Sequence, residues 1–307
     1  MVKTVVPTGE YVRDGLYLQV TPPAPDLAPF VSAIYRTQID SGAIAEDWLP
    51  PEEANLRTGI AEVYTAAIGS DPAVRAPDAV VSGPTDRATY LRIGGGRFWG
   101  IGLTPSGWSR IIALRADTMA NRFVPADRCD IDRPLVTMLE TLRNEVDDLQ
   151  EASDLVAATF RPLLSREDPS TGLIEAVHLH IVSEEASSVA ELASFAGMNE
   201  RTFARFCRRH FGFPPGVLLR RQRFLRSLGK YMLDPSLSWI NSLDPNYWDQ
   251  AQFIRDFRSI MQMTPSEYAG LPHPIVTAAV SVTNAGVGVA MQALFHPDRA
   301  RESETGL

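Results

Sequence analysis

The sequence predicts an α+β protein with a β-rich amino-terminal domain, connecting helices and an all-helical carboxy-terminal domain. Three observations favour this order. Short β-branched and aromatic runs between Gly and Pro fill residues 79–114. Leucines recur at helical spacing over residues 131–161. Two amphipathic helices with polar, arginine-bearing outer faces lie between residues 188 and 268. A chain of 307 residues has room for two such domains.

The first 130 residues are expected to form antiparallel strands. Residues 11–12 and 16–20 can pair across a turn at Asp14 and Gly15. Residues 47–70 fit a helix or a strand. Gly94, Gly95 and Gly96 separate two strand-like runs, which favours a hairpin turn there. A phosphate-binding loop is disfavoured because no helix follows these glycines. Residues 131–170 are then expected to be linker helices, residues 171–270 the helical domain, and residues 271–307 an extension.

Histidine placement limits the chemistry of the β-rich domain. The five histidines lie at positions 178, 180, 210, 273 and 296, so the first 177 residues have none. This excludes a histidine-ligated metal centre, and a Ser/His or Cys/His catalytic couple, built from this domain alone. No metal, no cofactor and no enzymatic activity are therefore expected, and a binding role is favoured.

Five residues of this domain have the chemistry of a small-molecule pocket, with flat apolar faces, hydrogen-bonding ends or a cation. They are Trp48, Tyr90, Arg92, Trp99 and Trp108. Tyr90 and Arg92 are two apart on an expected strand, so they could face the same side. The alternative for each is an ordinary core or surface position.

The leucine pattern predicts one helix over residues 131–161. Asp132 can cap it, Pro134 suits its first turn, and Pro162 should end it. Its stripe could be a homodimer seam. The alternative is that it packs on its own β domain. The stripe residues are Leu135, Leu139, Leu142, Val146 and Leu149.

Residues 188–215 predict a helix-turn-helix unit. A short helix should stop at Gly197, which supplies a left-handed turn, and Asn199 should cap the next helix. That second helix should bury one face made by Phe203, Phe206, Cys207 and His210. Arginines cover its opposite face, which suits the major groove of DNA. A solvated arginine face is the alternative, and two agreeing units weigh against it.

Residues 236–268 predict a second, cruder unit. Phe253, Phe257 and Ile260 form its expected buried stripe. Asp244 and Pro245 should shorten the helix before its corner. Asn246 stands at the corner, and asparagine tolerates a left-handed backbone better than other residues with a side chain.

Residues 188–269 resemble the AraC/XylS family of bacterial transcription regulators. The resemblance rests on the LA-x3-G corner, the run ERTFARFCRRHFGFPP and the closing DQAQFIRDF and TPSEY. It implies a cupin-like jelly-roll sensor domain, an unknown small-molecule effector, double-stranded DNA as partner, two recognition helices in successive major-groove turns, and RNA polymerase as a further partner. The family usually has glycine where Asn246 and Gln262 stand, so the second unit could bind DNA more weakly or only position the backbone.

The same resemblance assigns base-reading and phosphate-binding side chains. Expected DNA contacts are Arg201, Ala204, Arg205, Arg208, Gln250, Gln252 and Arg255. Expected phosphate contacts are Arg209, Arg220, Arg221 and Arg223. Arginine pairs with guanine edges and glutamine with adenine edges. The expectation that the protein activates transcription follows from the family resemblance and not from any residue.

Charge and cysteine usage agree with such a protein. The net charge is −8, yet residues 186–270 hold eleven basic and seven acidic side chains, a net of +4, which leaves −12 on the remainder. A basic module on an acidic body attracts phosphate locally. Two cysteines give no disulfide framework, and no signal peptide is visible, so a cytoplasmic location is expected. Residues 275–294 reach the length of a membrane span, but their polar and Gly content favours a packed strand or helix, or a partner-binding segment.

Two other functional classes stay open. An enzyme, or a plain ligand-binding protein, could carry a helical appendage; an acid–base pair such as Glu62 and Asp86 would signal catalysis, and no spacing supports that pair. Alternatively, the degenerate second unit could contact a protein partner while only the first binds DNA.

Overall fold

The computed structural model describes residues 9–165, 168–183, 188–234 and 239–284. Eight strands lie within these residues, all in one antiparallel sheet of order β1-β2-β3-β7-β4-β6-β8, with β5 paired to β4. The strands are β1 (Gly9–Arg13), β2 (Leu16–Thr21), β3 (Val31–Leu49), β4 (Ala54–Ile68), β5 (Val74–Arg75), β6 (Ala79–Ser82), β7 (Thr89–Leu103) and β8 (Phe123–Pro125).

Eleven α-helices occupy the described part of the chain, and the α+β class is confirmed. They are α1 (Pro105–Gly107), α2 (Ala116–Met119), α3 (Arg133–Asn144), α4 (Leu149–Leu164), α5 (Thr171–Val182), α6 (Val189–Phe195), α7 (Glu200–Phe211), α8 (Pro215–Leu233), α9 (Gln250–Met261), α10 (Pro265–Ala269) and α11 (Pro274–Asn284). A π-helical turn, Trp108–Ile112, follows α1.

The first hairpin forms as predicted. β1 pairs with β2, and the turn between them has positive φ at Asp14 (51°) and Gly15 (77°). Two such residues in succession suit the twist of a tight hairpin. The region left open between helix and strand, residues 47–70, contains all of β4 and the end of β3.

The predicted hairpin at the three glycines is wrong. They lie inside the continuous strand β7, where Gly94 and Gly96 pair with β4 and Gly95 (φ 50°) is left out of the ladder. The pairing with β4 keeps a single register through this point, whereas the pairing with β3 shifts between Ile39 and Ile44. The extra residues therefore lie on β3 and not on β7. Across Gly95 the alternation of side chains is reversed, so Ile93 and Phe98 reach the same core although they are five apart.

The two faces of the sheet carry separate cores. Trp99, Ile101 and Leu103 face one core, which α3 and α4 cover. Ile93, Phe98 and Leu18 face the other, which α11 covers. Burial of both faces fits the long apolar runs of the central strands.

The leucine stripe belongs to the first of these cores, and the prediction of a homodimer seam is wrong. All five stripe residues are buried within the chain: Leu135, Leu139, Leu142, Val146 and Leu149. The segment is also two helices and not one. α3 ends at Asn144, and Asp148 caps α4 by accepting the amide hydrogens of Gln150 and Glu151. Pro162 lies inside the last turn of α4, where it does not end the helix.

The second helix-turn-helix unit departs from its prediction at the start. Residues 239–249 form turns with no helix, and residues 235–238 lie outside the described part of the chain. Asn246 does not adopt the left-handed backbone expected of it. Its amide instead donates to Asp244 Oδ1 at 2.8 Å, so an aspartate turn makes the corner. The left-handed residue of this unit is Gln262 (φ 61°), which ends α9.

Residues 274–284 of the predicted extension form helix α11, and residues 285–307 lie outside the described residues. No described helix combines the length and apolar character that a membrane span requires.

Candidate nucleic-acid interface and internal cavity

The first unit is fixed by complete caps. Ser188 and Glu191 form a reciprocal capping box at the start of α6, with hydrogen bonds of 3.2 and 3.1 Å. Gly197 (φ 65°) then makes the corner. Asn199 begins α7 by accepting the amide hydrogen of Thr202 at 2.9 Å. The angle between the two helices is therefore set by local sequence.

Helix α7 separates its faces sharply. Phe203, Cys207 and Phe211 are buried, while Phe206 and His210 are half-buried. Burial raises the pKa of the Cys207 thiol to about 12, so it packs as an unreactive apolar group. The opposite face presents four exposed arginines and the half-buried Ala204: Arg201, Arg205, Arg208 and Arg209. Such a face can offer bidentate donors to base edges and charge to phosphates.

Helix α9 offers a weaker version of that face. Phe253, Phe257 and Ile260 are buried as predicted. Gln250 and Arg255 are exposed. Asp249 caps the helix by accepting the Gln252 amide hydrogen at 2.6 Å, and the Gln252 side chain accepts the Trp248 amide hydrogen at 3.0 Å. The carbonyl end of Gln252 is thus already engaged in fixing the turn.

Two exposed side chains of the second unit escaped the sequence analysis. Arg258 lies one turn after Arg255 on α9 and is exposed. Trp248, next to the amino end of α9, is 92% exposed. The spacing of Arg255 and Arg258 could have identified the first, because residues three apart share a helix face. Nothing in the sequence distinguishes Trp248 from a core tryptophan.

The four arginines expected to bind phosphate differ in position. Arg209 is exposed and Arg220 is half-buried. Arg223 lies 3.9 Å from Asp256 and covers the ring of Tyr247. The assignment of Arg221 needs correction, because this residue is 7% exposed and donates to the Thr85 carbonyl at 3.1 Å. Its place on α8 turns it toward the sheet and not toward solvent.

The five expected pocket residues are not brought together. The rings of Trp48 and Tyr90 are tilted by 56° with centroids 5.2 Å apart, and Trp48 packs on the core of the second unit. Arg92 faces Glu46 at 3.6 Å. Trp108 is buried and donates to the Leu114 carbonyl at 2.8 Å. Of the five, Trp99 alone lines the cavity described next.

A cavity of about 110 Å³ lies between the concave sheet face and α11. Its walls are mainly apolar, and one end is polar. Residues that line it include Leu18, Val20, Ala33, Leu91, Ile93, Phe98, Ile275 and Ala279. The sequence analysis missed them because the pairing of distant strands and the return of α11 bring them together. Gly100 helps to shape the site, since a Cβ there would meet the Tyr35 ring at 2.0 Å.

The polar end of the cavity is a neutral network around Arg57. Arg57 Nη2 donates to both Glu52 oxygens, at 2.7 and 2.8 Å, and its Nε donates to Tyr35 Oη at 3.0 Å. Burial opposes the charged form of Arg57, but the Glu52 carboxylate keeps the pKa of this guanidinium above its ordinary value. Burial raises the pKa of Tyr64 to about 12. The network is therefore one cation and one anion, with two neutral phenols.

Glu62 and Asp86, named above as a possible acid–base pair, have different partners. Glu62 accepts a hydrogen bond from Ser41, and Asp86 accepts one from Asn121. The described residues hold no group of three or more His, Cys, Asp or Glu side chains placed to bind a metal ion.

Residues 192–270 match a family model described as a helix-turn-helix domain. This stretch is an AraC-type helix-turn-helix domain. No curated protein matches the chain. Among solved structures, the chain is similar to ToxT from Vibrio cholerae, with 11% identity and a TM-score of 0.42 over 77% of this chain and 96% of that one. It is also similar to unsaturated fatty acid-bound ToxT from strain SCE256 (10% identity, TM-score 0.40, 84% and 97% covered) and to the AraC-like transcriptional activator CuxR (12%, 0.22, 72% and 79%).

The AraC-type domain and the helix before it contact the sheet domain at several points. The Ala88 amide donates to the Ile260 carbonyl of α9 at 2.8 Å. His178 of α5, which precedes the domain, lies 2.6 Å from Glu53. His210 of α7 lies 3.3 Å from Ser109. Helices α7 and α9 are therefore both in contact with the domain that holds the cavity.

Proposed function

We propose that this protein is a sequence-specific DNA-binding transcription regulator that responds to a small molecule. The observation that carries the proposal is the face of α7, where Arg201, Arg205, Arg208 and Arg209 are exposed on a helix fixed by caps at a glycine corner. Arginine at such a position can read guanine in the major groove, while its neighbours neutralise phosphates.

DNA reading would be shared unequally between the two units. We infer that α7 supplies base contacts through Arg201 and Arg205, with Ala204 between them able to approach a thymine methyl group. In the second unit, Gln250, Arg255 and the exposed Arg258 are the available contacts. We place this activity in the cytoplasm, where DNA and a reduced Cys207 are both expected.

The response to a small molecule rests on the cavity. It is walled by the sheet on one side and by a helix that follows the AraC-type domain on the other. A bound molecule would touch both, so its binding energy can differ between arrangements of the two domains.

The test is selection of duplexes from a random library with the full chain, followed by affinity measurements on the selected DNA. Arg201→Ala should weaken binding by about 1–3 kcal/mol and relax one base position. Arg75→Ala is the matched control, because Arg75 is an exposed arginine of the sheet domain. Failure to select any sequence, or equal affinities of the two variants, would contradict DNA reading by α7. A footprint on one helical turn alone would assign the second unit to a protein partner.

A further inference from the structure

Helix α11 returns from the AraC-type domain onto the sheet. Its inner face is made of small apolar side chains: Ala278, Ala279 and Val282 pack against the sheet core, and Val276 and Val280 pack on Leu49. The helix therefore covers the concave face of the sheet, although it follows the DNA-binding domain in sequence. The contact between α11 and the sheet therefore connects the cavity to the segment that follows the second unit.

A buried carboxylate holds this link. Asp47 of β3 is fully buried, and its Oδ2 accepts the amide hydrogens of Ile275 and Val276, each at 2.9 Å. Its Oδ1 accepts from His273 Nδ1 at 2.9 Å. These two hydrogen bonds from backbone amides to one carboxylate fix the amino end of α11 on the sheet.

His273 connects that carboxylate to the second unit. Its Nε2 lies 2.7 Å from the Tyr268 carbonyl of α10. The two ring nitrogens therefore join the Asp47 carboxylate to the Tyr268 carbonyl. Tyr268 is fully buried and packs on Phe257 of α9. The path from α11 to the recognition helix is a chain of direct contacts.

The cavity lies under this same helix. Ile275 and Ala279 of α11 form one wall, and strands of the sheet form the others. Ile275 also donates its amide to Asp47. A molecule in the cavity has its full set of contacts only while α11 stays docked. Binding and docking must then stabilise each other.

The polar end of the cavity selects against a charged ligand. Glu52 already pairs with Arg57 through both of its oxygens. An incoming carboxylate would meet a second carboxylate at the same guanidinium and would have to give up its hydration. A single hydroxyl or carbonyl group can instead join the network at Tyr35 or Arg57 without adding charge. The remaining walls favour an apolar body.

We propose that this cavity binds an uncharged, mainly apolar molecule with one hydrogen-bonding group, and that its binding holds α11, and through His273 the second helix-turn-helix unit, against the sheet. The proposal rests on the ligand-responsive part of the proposed function. It names the ligand class and the segment that senses occupancy.

The ligand class is tested with two probes that share an ethylphenyl body, 4-ethylphenol and 4-ethylbenzoate, titrated into the full chain by calorimetry. The phenol should bind at least about tenfold more tightly than the benzoate, which corresponds to a difference of about 1.4 kcal/mol in binding free energy. Glu52→Gln should reverse this preference, because Arg57 then lacks its anion. Equal affinities for the two probes in the unmodified chain, or no binding of the phenol, would overturn the assignment.

The link to α11 is tested by hydrogen exchange at the Ile275 and Val276 amides. With 4-ethylphenol at ten times its Kd, exchange through undocking of α11 should slow about tenfold. Ala279→Leu fills the cavity and serves as control: the amides should stay protected, but the phenol should no longer change them. Asp47→Asn should speed exchange and weaken phenol binding together. Unchanged exchange in the unmodified chain at saturating phenol would contradict the link.

These outcomes are separate from those of the DNA test. Selection of a DNA sequence needs no probe. DNA binding without phenol binding would therefore overturn the cavity assignment but not the proposed DNA-binding function. Phenol-dependent protection of α11 without selection of any DNA sequence would overturn the DNA-binding function and support the cavity assignment.

Discussion

The two helix-turn-helix units of this chain differ in how they acquire their shape. The first has a capping box, a glycine corner and a core formed almost entirely by α5 to α8. The second has turns where its first helix is expected, and its core includes Ala88 and Trp48 from the sheet domain. We conclude that the first unit is formed mainly by its own sequence, whereas the second depends on the sheet domain for its position.

The largest expected difference concerns the buried ion pair of the second unit. Arg226 on α8 donates to Asp244, and the side chains are 5% and 0% exposed. Asp244→Ala should lower the free energy of unfolding by about 3–5 kcal/mol, because it leaves a buried cation without its anion. Chemical denaturation measures this. A loss below about 1 kcal/mol would show that Asp244 does not hold the corner.

A matched pair of helix ends gives the next comparison. α7 ends at Gly212 (φ 84°) and α9 at Gln262 (φ 61°), and each end residue donates its amide four residues back. Gly212→Ala should destabilise the protein by about 1–2 kcal/mol, the usual cost of a side chain in the left-handed region. Its Cβ would also lie 2.6 Å from Pro84 Cγ. An unchanged melting temperature would contradict the fixed geometry of the first unit.

The opposite change at the second end should stabilise the protein. Gln262→Gly removes the left-handed penalty at an exposed site and should raise the free energy of unfolding by about 0.5–1 kcal/mol. The Gln262 side chain donates to the Ser259 carbonyl at 2.7 Å, and losing this bond reduces the gain. A net loss of stability would mean that this hydrogen bond outweighs the backbone strain.

The smallest expected effect is a dependence on pH at the first unit. Burial lowers the pKa of His210 below 6.5, helped by Arg209 and opposed by Asp168. As the pH falls through 6.5 toward this lowered value, the unfolded chain takes up a proton that the folded chain does not, so stability decreases. His210→Gln should flatten the stability profile in that window. Identical profiles for the two proteins would contradict the effect.

Local chemistry explains what the sequence could predict. Asp14 and Gly15, Gly197 and Asn199, and the buried stripe of α7 act within a few residues, and each forms as predicted. The homodimer seam and the hairpin at Gly94–Gly96 were wrong because sequence periodicity does not say which partner covers a stripe, and because glycines within a strand mimic a turn.

The cavity was beyond prediction for a related reason. Its walls come from strands far apart in sequence and from α11, and Asp47 and His273 are 226 residues apart. No local pattern announces such a contact. Arg221 shows the same limit at the interface, since the basic run of α8 does not reveal which of its arginines faces the sheet.

The most direct test compares Arg205→Ala in the first unit with Arg255→Ala in the second, on the selected DNA and on a panel with each base pair changed. Both arginines are exposed on their recognition helices. Arg205→Ala should lose about 1–3 kcal/mol and its preference at one base pair, and Arg255→Ala should lose less. Equal losses of binding free energy, or a larger loss for Arg255→Ala, would contradict the proposal that the first unit makes most of the base contacts.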